Sequence, residues 1–142
     1  MPAFRRLAIY HAPPAGALAS KAAAWLGWDA ALARAEVHPD LGLPVAGITG
    51  DPRRYGFHAT LKPPFRLADG QTLHGLSAAL DGLGEGLSPV TLPGLGLRSL
   101  GGFLALMPEA ESPALQQLAA AVVTGLDRFR APLNAAEIAR RR

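Results

Sequence analysis

The sequence contains no cysteine among its 142 residues, which excludes disulfides, thiolate zinc sites and cysteine nucleophiles. No run of 18 apolar residues occurs, so no helical membrane span is expected. The opening Met1-Pro2-Ala3-Phe4-Arg5-Arg6 lacks the apolar centre of a signal peptide. Histidine and carboxylate residues do not fall at a metal-ligand spacing, so neither a metal nor another cofactor is expected. Lysine is scarce, since only Lys21 and Lys62 stand among the 14 basic residues. Apart from Arg140-Arg141-Arg142 there is no basic run, and none is interleaved with aromatics. The net charge of +3 therefore suits a small anionic ligand, with nucleic acid compatible but not favoured. These exclusions predict a cytoplasmic protein without a membrane role. The arginine bias, with abundant Ala, Gly and Pro, points to a GC-rich bacterial coding sequence and carries no functional information.

What remains is a globular composition, 49% hydrophobic and 18% charged, of a length that fits one domain or part of one. Leu7 to Ala12 reads as a strand in a central sheet position, closed by Pro13-Pro14. Ala15 to Leu26 is a good helix former, with Trp25 and Trp28 as packing anchors and Ala30 to Glu36 adding a further turn or two. Val37 to Asp51 is punctuated by Pro39, Gly42, Pro44, Gly47 and Gly50 and reads as a loop, long enough to suggest a function. Gln71 to Leu83 has helical periodicity. Ser88 to Leu92, Leu95 to Leu100 and Phe103 to Met107 read as short strands, the last two joined at Gly101-Gly102. Ser112 and Pro113 open the clearest helix, as N-cap and first helical residue. Asn134 caps a last helix over residues 135 to 142. This mixed order lacks a regular βαβ repeat and predicts an α+β fold, with a largely antiparallel sheet and flanking helices.

Chemistry is concentrated in Arg53-Arg54-Tyr55-Gly56-Phe57-His58-Ala59-Thr60-Leu61-Lys62-Pro63-Pro64-Phe65. Read as a strand, its period of two puts His58, Thr60 and Lys62 on one face, and Phe57, Ala59 and Leu61 on the core face. Gly56 lets the chain enter, and Pro63-Pro64 ends the ladder because proline has no N–H to donate. An imidazole moves protons near neutral pH, a hydroxyl donates to an anionic oxygen, and the cations add positive charge. The set suits a phosphate ester. A solvated strand entrance with no chemistry would carry many of the same residues.

This stretch resembles the first signature of the 2H phosphoesterase superfamily, closest to the bacterial branch found with phosphonate-utilisation operons. Leu7-Ala8-Ile9-Tyr10 with Ala12-Pro13-Pro14, Trp25-Leu26-Gly27-Trp28-Asp29, Leu100-Gly101-Gly102-Phe103-Leu104-Ala105-Leu106 and Phe129-Arg130-Ala131-Pro132-Leu133 resemble that branch in the same order. The resemblance implies two pseudo-symmetric lobes around a cleft. Two His-x-Thr motifs would act there on a cyclic phosphodiester without a metal. One histidine would be general base and the other general acid, with the threonines holding non-bridging oxygens. It assigns His58 and Thr60 as catalytic, and makes Arg53, Arg54, Tyr55, Lys62, Tyr10 and Arg130 candidates for binding the rest of the substrate.

The chain departs from that pattern in having one such motif. His11, His38 and His74 are followed two residues later by Pro13, Asp40 and Leu76. Residues 1–142 are therefore expected to form a single domain, the N-terminal part of a longer two-lobed protein, or to complete the site as a homodimer. Alone, the chain would be inactive or weakly active. The alternative is a non-catalytic module that binds a phosphorylated small molecule or an RNA end.

Overall fold

The computed structural model describes residues 6–139; the end of the expected last helix, Arg140 to Arg142, lies outside them. Helices and short antiparallel ladders are mixed along the chain, so the fold is α+β. The strands are distributed over three two-stranded sheets among the described residues. The chain divides into two compact units. One is Ile9–Leu61, and the other combines Met1–Ala8 with Lys62–Arg142.

Strand β1 (Leu7–His11) pairs with β4 (Ala59–Phe65), and the division falls inside both strands. Having one partner, β1 is not the central strand the sequence suggests. Strand β4 also runs through Pro63 and Pro64 to Phe65 rather than stopping before them. A two-stranded sheet leaves each strand a free edge, and proline is tolerated where no ladder bond is required.

In the unit Ile9–Leu61, α1 (Ala17–Leu26) buries Ala22 and Leu26. The turns expected over residues 30 to 36 are instead a small hairpin, β2 (Trp28–Asp29) against β3 (Arg34–Ala35). The cause is local. The Asp29 carboxylate accepts from the amides of Ala31 and Leu32 at 2.9 and 3.0 Å, and such a side-chain turn competes with helix formation. The expected loop over residues 37 to 51 contains a short helix, α2 (Val45–Ile48). Val45 is buried beneath it, and Thr49, 1% exposed, donates its hydroxyl proton to the Val45 carbonyl. The Thr49 carbonyl in turn accepts from the Arg53 amide at 2.9 Å. A single 3₁₀ turn, Pro52–Arg54, is thereby fixed to a buried anchor.

The other unit packs α3 (Leu73–Glu85) and α4 (Pro113–Gly125) together over Leu76, Val122, Leu126, Phe129 and Phe65. Both helices begin as capping chemistry dictates: Thr72 Oγ1 accepts from Gly75 N, and Ser112 Oγ from Leu115 N. The short helix α5 (Ala135–Ala139) opens with a reciprocal box, in which Asn134 and Glu137 each bond the other's amide. Glu137 also takes the Arg66 guanidinium.

Strands β5 (Leu95–Leu100) and β6 (Phe103–Pro108) form a hairpin with Leu100 opposite Phe103. Its two-residue turn, Gly101-Gly102, has positive φ at both positions, which explains the glycine pair. The expected strand over residues 88 to 92 is absent. The register puts Leu95, Leu97, Leu104 and Leu106 on one face, and Leu97 and Leu104 are each 60% exposed.

Lys62 has a different fate. It is 2% exposed, and its Nζ donates to the Val123 carbonyl at 2.7 Å and to Asp127 Oδ1 at 3.2 Å. Val123 lies in the last turn of α4, where carbonyls lack helical partners and the dipole favours a cation. Lys62→Met would leave that carbonyl unpaired at a cost of about 1–3 kcal/mol. By contrast Leu97→Thr, on the exposed ribbon, should stay within about 0.5 kcal/mol. Urea melts of the two variants test the contrast.

Acid titration tests the same corner. Arg130 and then Lys62 hold the Asp127 carboxyl below its ordinary 3.8, at about 2. A lowered folded-state pKa contributes stability that is full above 3.8 and lost as pH falls toward 2. The denaturation midpoint should therefore drop across that window, and Asp127→Asn should flatten the drop.

Candidate functional site

His58 lies one residue before β4, half-buried. Its Nδ1 is 3.1 Å from the Gly56 carbonyl oxygen. A carbonyl can only accept, so Nδ1 carries the proton, and whenever the ring is neutral Nε2 is a bare lone pair. The Tyr10 ring, 46% exposed, lies against the imidazole with centroids 3.9 Å apart and planes at 32°. Tyr10, a candidate for substrate binding, thus forms an aromatic wall on the histidine. Thr60 is exposed on β4, and its hydroxyl has no hydrogen-bond partner among the described residues. Phe57 and Leu61 are half-buried.

Gly56 fixes this arrangement. Its φ is +71°, and a Cβ there would stand 2.7 Å from the Ala30 Cβ. Only glycine combines that left-handed bend with so close an approach. The segment that carries His58 is held against the loop of the β2–β3 hairpin, and the carbonyl that orients the imidazole belongs to the bent residue itself.

Arg53 and Arg54 stand on the 3₁₀ turn just before this bend. With Trp28 and Gly50 they line an open depression of about 530 Å³. Arg53 is half-buried, whereas Arg54 and Tyr55 are exposed. Sequence reasoning missed Trp28 as a lining residue. Its indole starts β2 rather than extending the preceding helix, and nothing in the helical reading of residues 30 to 36 would turn it toward the arginines.

The remaining two candidates are engaged elsewhere. Lys62 departs from the expected open row His58-Thr60-Lys62, because its ammonium is buried on Val123 and Asp127. Arg130 grips the same carboxylate with both arms of its fork, Nε to Oδ1 at 2.7 Å and Nη2 to Oδ2 at 3.0 Å, and Asp127 raises its pKa further. His58 and Thr60 belong to the unit Ile9–Leu61; Lys62 and Arg130 belong to the other. Lys62, Arg66, Arg130, Asp127 and Glu137 line a separate cavity of about 240 Å³, in which every cation already has a carboxylate. Asp127 is the organiser the sequence did not single out. Its place three residues before Arg130 was the available signal.

His38 is structural, with its Nδ1 on the Trp25 carbonyl at 3.1 Å. No group of three or more metal-ligating side chains occurs among the described residues, and no helix among them is long and apolar enough to cross a membrane.

The class defined so far is an α+β chain that shows an oriented imidazole, a free hydroxyl and two arginines on adjoining segments. Residues 60–142 match the family described as protein of unknown function (DUF1045), and the chain belongs to that family. Two curated proteins are similar over almost the whole chain. One, from Janthinobacterium sp. (strain Marseille), is 34% identical over 142 residues, 96% of this chain and 31% of its own length. The other, from Laribacter hongkongensis (strain HLHK9), is 36% identical over 129 residues, 89% of this chain and 31% of its own. Both are named Ribose 1,5-bisphosphate phosphokinase PhnN. The chain thus spans about a third of the length of the curated relatives it matches. No solved structure matches it.

Gly56→Ala tests the bend directly. It adds a Cβ against Ala30 and forces alanine into the left-handed region, a strain of roughly 1–2 kcal/mol. The melting temperature should fall, and nitrogen NMR of His58 should show the loss of its preference for the Nδ1–H tautomer.

Proposed function

We propose that the chain carries the first half of a metal-independent phosphoesterase site of the 2H type, acting on a cyclic phosphodiester in phosphonate metabolism. The observation that carries this reading is the His58 geometry. The imidazole is oriented by a backbone carbonyl through Nδ1, and among the described residues its Nε2 is unpaired and the Thr60 hydroxyl, two residues away, has no partner. A base needs a free lone pair and a fixed ring, and a phosphoryl oxygen needs a donor that is not already spent.

In the reaction His58 Nε2 takes a proton from water as its oxygen bonds to phosphorus. One ring P–O bond breaks, and a second acid protonates the leaving alkoxide. The product is a phosphate monoester. Thr60 donates to a non-bridging oxygen as charge develops on it. One imidazole serves one of the two proton transfers, and we place the second group outside these 142 residues.

The relatives' name bears on the substrate. A ribose 1,5-bisphosphate kinase acts on a phosphorylated sugar, and we place this chain's substrate in the same chemical class. The kinase activity itself we assign to the part of those relatives outside the match. A phosphate-cradling loop of the G-x-x-x-x-G-K-[ST] kind requires a lysine preceded by glycine, and here Lys21 follows Ser20 and Lys62 follows Leu61.

The test is turnover of a panel of cyclic phosphates by the 142-residue chain and by an extended form that carries the rest of the polypeptide found in the longer relatives. The extended form should hydrolyse at least one of them, and a chelator should leave the rate unchanged. His58→Ala should abolish turnover, a loss of about 10²–10⁴-fold or more. Thr60→Ala should cost less, up to about 10²–10³-fold. Full activity in His58→Ala would overturn the assignment. Tight binding of phosphorylated ligands without turnover in either form would replace the enzyme with a binding module.

A further inference from the structure

Among the described residues, Arg6, Arg34, Arg66, Arg98, Arg128 and Arg130 each have a side-chain partner. The partner is a carboxylate, a backbone carbonyl or an aromatic ring. Arg53 and Arg54 are the two that have none. Asp51, two residues from Arg53, is not within ion-pairing distance of either. Two adjacent guanidiniums repel each other, and here they sit on a turn held to a buried anchor by the Arg53 amide and the Thr49 carbonyl. Such a fixed, uncompensated pair is pre-organised for an anion.

We propose that the depression lined by Trp28, Gly50, Arg53 and Arg54 is a second anion subsite of the His58 site. The substrate would then carry, besides its reacting cyclic phosphate, a distal phosphate monoester on a ring that lies against the Trp28 indole. This rests on the phosphoesterase reading and adds a substrate class to it. A phosphate monoester has three terminal oxygens and close to two negative charges, which matches two forked donors better than a carboxylate does. The indole supplies an apolar face for a sugar or base.

The spacing fits one ligand. His58 is four positions beyond Arg54, so their Cα atoms are at most about 14 Å apart. Gly56 stands midway between them and packs on Ala30, two residues beyond Trp28. A phosphorylated five-membered sugar with a cyclic phosphate at its other end can bridge a span within that limit.

Isothermal titration of the 142-residue chain with cytidine 2′,3′-cyclic phosphate, with and without a 5′-phosphate, tests this. The 5′-phosphorylated form should bind at least about tenfold tighter, the worth of one charge-assisted hydrogen bond. Arg53→Ala/Arg54→Ala should collapse the ratio to below about threefold. The double lysine variant keeps the charge without the forks and should fall between. Circular dichroism of both variants checks folding. His58→Ala should keep the ratio, because the distal phosphate does not touch the imidazole.

A ratio near one in the wild-type chain, no measurable binding of either nucleotide, or a ratio that survives the loss of both arginines would overturn the subsite. Turnover is read separately in the extended form. A retained ratio with no hydrolysis of any cyclic phosphate sinks the phosphoesterase reading and leaves the subsite standing. Hydrolysis with no ratio does the reverse.

Discussion

The bend at Gly56 is the constraint on which the candidate site depends. Its left-handed backbone and its contact with Ala30 set where the chain goes between the 3₁₀ turn and β4, and its carbonyl sets which nitrogen of His58 is bare. Four candidate site groups hang on one residue without a side chain. The arginines precede it, the imidazole follows it and bonds to it, and the indole belongs to the hairpin it touches. A side chain at this position would disturb all of them together. The motif therefore needs glycine here for a packing reason as much as for flexibility.

In the unit that contains Lys62 through α5, cations meet anions in close pairs: Lys62 and Arg130 on Asp127, and Arg66 and Arg6 on Glu137. Those pairs fasten helix ends and turns, and they hold both carboxyls below their usual range. For Glu137 the Asn134 amide is the larger cause and Arg66 the lesser. In the unit Ile9–Leu61, Arg34 pairs with Glu36 at 2.8 Å, whereas Arg53 and Arg54 have no partner among the described residues. A free pair of guanidiniums on a turn held to a buried anchor is available to an external anion.

Much of this was legible in the residues. Ser112-Pro113, Asn134 and Gly101-Gly102 announced their caps and turn because those geometries are decided by one or two side chains. The α+β class followed from the mixture of periods. What was not legible depended on partners distant in sequence. Period two placed Lys62 beside His58, but the last carbonyls of α4 and Asp127, some 60 residues away, draw its ammonium inside. Pro63-Pro64 reads as a stop only if a strand needs neighbours on both sides. Residues 30 to 36 read as further helical turns, but the Asp29 carboxylate captures two amides, and the hairpin that results places Trp28 beside the arginines.

The comparisons and the geometry converge on different parts of the chain. The family match begins at residue 60, after His58 and the arginines, whereas the two curated relatives align over 96% and 89% of the chain. Similarity to those longer proteins therefore is not confined to the family segment. Within that segment the conspicuous chemistry is structural: a buried lysine, paired arginines and an exposed apolar hairpin. The groups left free for a ligand lie almost entirely before it. An imidazole oriented from behind, an unspent hydroxyl and two guanidiniums without a partner among the described residues together suit an anion, and no carboxylate of the described chain pairs with them. That deficit of negative charge, more than the motif that drew attention to it, is the physical argument for a phosphorylated ligand.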